Sequence, residues 1–140
     1  MFGSKMKNLL PLVAFALVSC GDNQERAKVE YLAAIKKVRE GYANPDVNRA
    51  YAAEIQFIEF VRERQSEGGY LPNPNILIWE YARLGLLAEY CGRKDEAARL
   101  YVQAERYARR IYPNEPADKT SAAAFRSYMI LMAKEGGKRP

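Results

Sequence analysis

Histidine is absent from the 140-residue chain. That absence removes Ser-His-Asp triads, Cys–His dyads and histidine-containing zinc sites from the sequence. Cysteine is nearly absent as well. Cys20 and Cys91 are the only two, and a domain with so few must be held together by burial rather than by disulfide staples. Gly68-Gly69 is followed by Tyr70 and not by the Lys-Ser/Thr of a phosphate-cradling loop. The longest apolar run, Leu9 to Val18, has ten residues, where a bilayer-spanning helix needs about 20. Charge of one sign is never concentrated: 22 basic and 17 acidic residues are intermixed along the chain, unlike the one-sided basic face of a nucleic-acid binder. The expectation is one domain, with no cofactor, no metal and no nucleic acid.

What the chain does have begins at its first residue. Met1 to Asn8 carries Lys5 and Lys7 and no acid, and the ten-residue apolar run follows. A positive start and a short apolar core are the order of a secretory signal. The run then meets Leu17-Val18-Ser19-Cys20 and the polar residues Gly21-Asp22-Asn23-Gln24. Leu17-Val18-Ser19-Cys20 resembles the lipobox of bacterial lipoproteins. The resemblance implies that residues 1–19 are cleaved off, and that the Cys20 thiol receives a diacylglycerol and the new amino group a further acyl chain. One acyl chain holds a protein marginally, whereas two or more anchor it stably. The implied address is the bacterial cell envelope. Where there are two membranes, Gly21 favours the outer one, with the domain facing the periplasm. On this reading residues 20–24 form a lipid-anchored tether, 25–135 a helical domain and 136–140 a flexible tail.

The mature chain reads as all-α, with about five helices. The first runs from about Gln24 to Glu40, with Val29, Leu32, Ile35 and Val38 on one side, and stops near Gly41. Asn44-Pro45-Asp46 starts the second: Asn caps, Pro suits the first turn, and an acid there complements the helix dipole. Val47, Tyr51, Ile55, Ile58 and Val61 form its stripe, widened by Phe57 and Phe60. Asn73-Pro74 repeats this chemistry before a third helix, about Asn75 to Tyr90. A fourth runs from Lys94 to about Tyr112, closed by Pro113 and Pro116. Asp118 or Thr120 opens a fifth that carries Ala122, Phe125, Met129 and Met132.

Residues 81–104 (YARLGLLAEYCGRKDEAARLYVQA) carry the one distinctive pattern. Tyr81, Leu84, Gly85 and Ala88, a turn glycine at Gly92, then Ala97, Tyr101 and Ala104, resemble a tetratricopeptide repeat over residues 78–111. Small residues at Gly85, Ala88, Ala97 and Ala104 let two antiparallel helices approach closely, and Tyr81 and Tyr101 fill the gaps beside them. The family's proline falls near Arg109, where this chain stays helical until Pro113. The fold expected is therefore a short tetratricopeptide-repeat-like solenoid of helical hairpins or a small bundle, with 25–64 a weaker hairpin and 118–134 a closing helix. The resemblance also implies a partner-binding groove on the first helix of the pair, lined by Trp79, Ala82, Leu86, Glu89 and Tyr90. Trp79, the only tryptophan, joins a large apolar area to a donor, as an interface anchor does.

Other candidate chemistry is sparse. Cys91 ends a helix, a position that does not activate a thiol. Glu54, Glu59 and Glu63 share the second helix and leave open a muramidase-like hydrolase, but Arg62 and Arg64 beside them point to a salt-bridged surface. Arg99, Arg106, Arg109 and Arg110 read as a solvated face with Glu96 and Glu105 as local partners. The function expected is a non-enzymatic, membrane-anchored adaptor that binds an envelope protein or peptide. An immunity protein against a secreted toxin is the alternative, and a cell-wall hydrolase the weakest reading.

Overall fold

In the computed structural model, residues 10–73 and 75–136 are described, with side chains from residue 21 onward. The helices are α1 (Leu10–Ala43), α2 (Val47–Ser66), α3 (Ile76–Tyr90), α4 (Lys94–Ile111), α5 (Ala117–Thr120) and α6 (Ala122–Glu135), with no strand among the described residues. Each long helix packs on its predecessor, most extensively α4 on α3, and α6 closes the stack against both α3 and α4. The all-α expectation holds.

α1 is one helix from the apolar run to Ala43, passing through the expected tether at 20–24 without a break. Gly21 is a weak helix breaker on its own, roughly 1 kcal/mol against alanine, and between Pro11 and Pro45 nothing stronger interrupts the helix. Cys20 lies outside the residues whose side chains are described, as do residues 1–9 and 137–140 altogether. Gly41 does not end the helix. It sits where α1 crosses α2, and a Cβ there would collide with Ala53 Cβ. The buried face of α1 is Tyr31, Ile35, Val38 and Tyr42, whereas Val29 and Leu32 are 63% and 55% exposed. The true stripe, spaced four and three residues apart, excludes two of the four positions expected.

α2 starts two residues later than its proline suggests. Asp46 is the N-cap and accepts from the Asn48 amide at 3.0 Å, while Asn44 Oδ1 accepts from the Asp46 amide at 2.9 Å. Asn73 treats the Asn75 amide the same way at 2.9 Å, and α3 begins at Ile76. Asn44 and Asn73 thus shape the turns ahead of α2 and α3, and Asn75 holds the N-cap position of α3 without a side-chain cap bond. α6 is capped by Ser121, whose hydroxyl accepts from the Ala124 amide at 3.2 Å. α5 is a single turn before it.

The α3–α4 hairpin owes its closeness to small residues. Ala88, Ala97 and Ala104 have almost no exposed surface, and the Tyr101 ring lies against Gly85, where an added Cβ would come within 2.9 Å of it. Tyr81 stacks on Tyr107 with centroids 5.5 Å apart. The turn is closed by Gly92, at φ 76°, with the Arg93 amide donating back to the Ala88 carbonyl at 2.8 Å, a hydrogen-bonded helix end that glycine adopts at least cost. Gly85→Ala is therefore expected to destabilise the domain by about 1–3 kcal/mol, because the buried ring must shift, despite alanine's better helix propensity. Urea unfolding measures this; an unchanged midpoint would show that the ring yields freely.

Candidate functional site

The face of α3 expected to be an open groove is covered by the chain's own last helix. Trp79 meets Phe125 edge-on at 5.7 Å and Tyr128 at 5.1 Å between centroids. At the other end of the same face, both Glu89 oxygens accept from Arg126, at 2.6 Å from Nε and 3.2 Å from Nη2. Ala82 and Leu86, spaced between these points, are buried and offer a partner no surface. The cause lies in α6, whose Phe125 and Met129 need an apolar seat, while α3 is apolar on nearly every side. Of the five expected residues, Tyr90 is exposed, Trp79 keeps 38% of its surface, Glu89 is partly covered, and Ala82 and Leu86 are core.

What stays exposed is the rim. Trp79 and Tyr128 touch, and Leu131 and Met132, on the next turn of α6, are also exposed. Met132 thus leaves the core stripe assigned to it, and only Phe125 and Met129 of α6 are fully buried. Beside Trp79, a cavity of about 290 Å³ is walled by Ile78, Tyr112, Lys119 and Phe125. The Tyr112 hydroxyl, at its edge, is hydrogen-bonded by Asn75. A large aromatic side chain half in solvent, ringed by other apolar side chains, is the composition of an interface anchor.

The glutamates fall differently from expectation. Glu59 and Glu63 are exposed, whereas Glu54 is 0% exposed and forms no salt bridge among the described residues. Neither of its oxygens has a hydrogen-bond partner among the described residues, and burial, followed by the proximity of Glu80 on α3, pushes the carboxyl well above the usual carboxylate range. Glu80 also accepts from Arg83 Nη1 at 2.7 Å, and Arg83 lies over Tyr42. Glycoside hydrolysis needs two carboxyl groups flanking an accessible bond; Glu54 and Glu80, both buried, offer no such access. The signal for a buried acid was its register: position 54 lies three residues after Tyr51 and three before Phe57.

The arginines divide between local and tertiary roles. Arg109 pairs with Glu105 at 2.6 Å, and Arg110 lies over Tyr107, both on the outer face of α4 as expected. Glu96 instead turns toward α2, where it accepts from the Tyr51 hydroxyl, and Arg93 covers that ring at 4.5 Å. Arg64 binds Glu30 of α1. Cys91 caps the C-terminus of α3, half-buried and in no disulfide. Among the described residues no group of acids and cysteines is placed to hold a metal ion, and no helix is long and apolar enough to cross a membrane. No protein-family model, no curated protein and no solved structure matches this chain.

Proposed function

We propose that this chain is a lipid-anchored, non-catalytic adaptor of the bacterial envelope that binds a protein or peptide along the edge where α3 meets α6. The observation that carries the reading is Trp79. It stays 38% exposed against Tyr128, with Leu131 and Met132 exposed on the same helix as Tyr128, whereas Leu77, Ile78, Tyr81, Leu84, Leu86 and Leu87 of α3 are buried. Anchoring through Cys20 rests on the lipobox resemblance. The repeat resemblance is supported by the close fit of Gly85 on Tyr101 and by the buried alanines of the α3–α4 hairpin. In such a hairpin the first helix would face the partner. Here α6 has taken its centre, so contact moves outward to the rim.

A photo-reactive amino acid in place of exposed Met132, in the full-length protein in intact envelopes, tests the reading. The expected result is a crosslinked adduct of defined mass that disappears in a Trp79→Ala background whose circular dichroism is unchanged. The same probe in place of Arg106, exposed on α4, is expected to give none. Equal smears from both positions, or no adduct from either, would remove the adaptor reading.

A further inference from the structure

Where α3 ends, α4 begins and α6 crosses both, the chain forms a half-open cavity of about 420 Å³ lined by Glu89, Lys94, Ala98, Tyr101 and Arg126. Tyr101 is 3% exposed, and its hydroxyl is buried with no hydrogen-bond partner. The hydroxyl end faces Glu89 and Arg126, the charges that act on it most strongly, so it points into this cavity while the ring rests on Gly85. Glu89 lies near it and is held by Arg126, but no hydrogen bond of acceptable geometry reaches the hydroxyl from any described residue. Buried hydroxyls are nearly always paired, and an unpaired one calls for a missing partner.

The charge balance says what that partner is. Glu89 and Arg126 cancel, which leaves the Lys94 ammonium, free of any ion pair among the described residues. Asp95 and Glu96 follow it in sequence, but Glu96 is turned to Arg93 and Tyr51. α4 also starts here without a side-chain cap, so the positive end of the helix adds to the lysine. One net positive charge and one hydroxyl donor match a single negative charge, and the Glu89 carboxylate disfavours a dianion. We propose that this cavity binds a carboxylate, neutralised by Lys94 and hydrogen-bonded by the Tyr101 hydroxyl, with Arg126 held in place by Glu89 and Ala98 forming the apolar wall. The carboxylate belongs to a small organic acid or to the free end of a peptide. Glu89 stands at the opposite end of α3 from Trp79, so the site does not rest on the adaptor reading.

The experiment is a heteronuclear NMR titration of the full-length protein in detergent micelles. Probes are N-acetylglycine, N-acetylglycinamide, triglycine with an acetylated start and a free or amidated end, and inorganic phosphate. Saturable binding of the free acids is expected, with the amides roughly tenfold weaker, and Tyr101→Phe and Lys94→Gln each weakening the acids by roughly tenfold. Neither substitution is expected to lower the melting temperature, since one removes an unpaired hydroxyl and the other changes an exposed side chain. Tighter binding of the tripeptide acid identifies a chain end, and equal binding a small acid; both support the site. It is overturned if no acid saturates, if the amides bind as well, if phosphate binds more tightly, or if Tyr101→Phe binds like the wild type.

Discussion

Phe125→Ala is expected to destabilise the protein by about 3–5 kcal/mol, the usual range for truncating a buried phenylalanine, and to move the fluorescence of Trp79 to longer wavelength before the rest of the chain unfolds. Phe125 is the side chain that seats α6: it meets Trp79 edge-on at 5.7 Å and is buried among residues of α3 and α4. Without it α6 keeps Met129, the Glu89–Arg126 pair and the Ala122 amide donating to Glu105 at 2.9 Å. The two polar contacts are partly solvent-exposed and contribute little. Because Trp79 is the only tryptophan and α6 covers it, its emission responds to the departure of α6 as well as to unfolding of α3, and far-UV circular dichroism reports on the whole stack. Two separated transitions are expected in urea for the variant, against one for the wild type. Loss of α6 would uncover Ala82 and Leu86 and restore the groove that the repeat pattern implies. A variant with wild-type emission and stability would mean that α6 is not held through Phe125.

The sequence made the helices visible because their punctuation is chemical: Gly92 at the α3–α4 turn, two Asn-Pro pairs and Pro113 with Pro116 bracket nearly every element. It was less informative about which face each helix buries. Val29 and Leu32 carry the right side chains at a helical spacing, yet the face that meets α2 is set by Tyr31, Ile35 and Val38. Two stripes on one helix compete, and only the partner decides between them. Gly41 read as a stop because glycine often ends helices, but here its missing Cβ admits Ala53.

The candidate site was legible as a face and not as a surface. Trp79, Ala82, Leu86 and Glu89 do share one side of α3, as their spacing implies, but that α6 would lie on it depends on contacts made some forty residues along the chain. The carboxylate cavity was invisible for the same reason: Lys94, Tyr101 and Arg126 come from two helices, and the unpaired state of the Tyr101 hydroxyl is a property of packing. Glu54 was misread because it was grouped with Glu59 and Glu63, which lie beside Arg62 and Arg64 and look solvated. Its neighbours in space are instead Glu80 and the apolar core.

Glu54→Gln is expected to stabilise the protein by about 2 kcal/mol at pH 8 and to leave it nearly unchanged at pH 4. The buried Glu54 carboxyl has no hydrogen-bond partner among the described residues, and the charged group nearest in effect is another acid, Glu80, which accepts from Arg83. An unpaired carboxylate is costly to bury, so folding favours the protonated form of Glu54. Burial is the larger cause of its raised pKa, the Glu80 carboxyl the next, and Arg83 opposes both. A carboxyl whose pKa is raised by folding binds its proton more tightly in the folded chain. Its contribution to stability is therefore complete below the unfolded value, about 4.3, and is lost as pH rises through the folded value. The glutamine amide is neutral at every pH, so it escapes that loss. Urea unfolding at pH 4, 6 and 8 should show the variant drawing ahead of the wild type as pH rises. Glu59→Gln, on the exposed side of the same helix, should show no such trend. If the wild type keeps pace with Glu54→Gln at all three values, Glu54 is not held protonated.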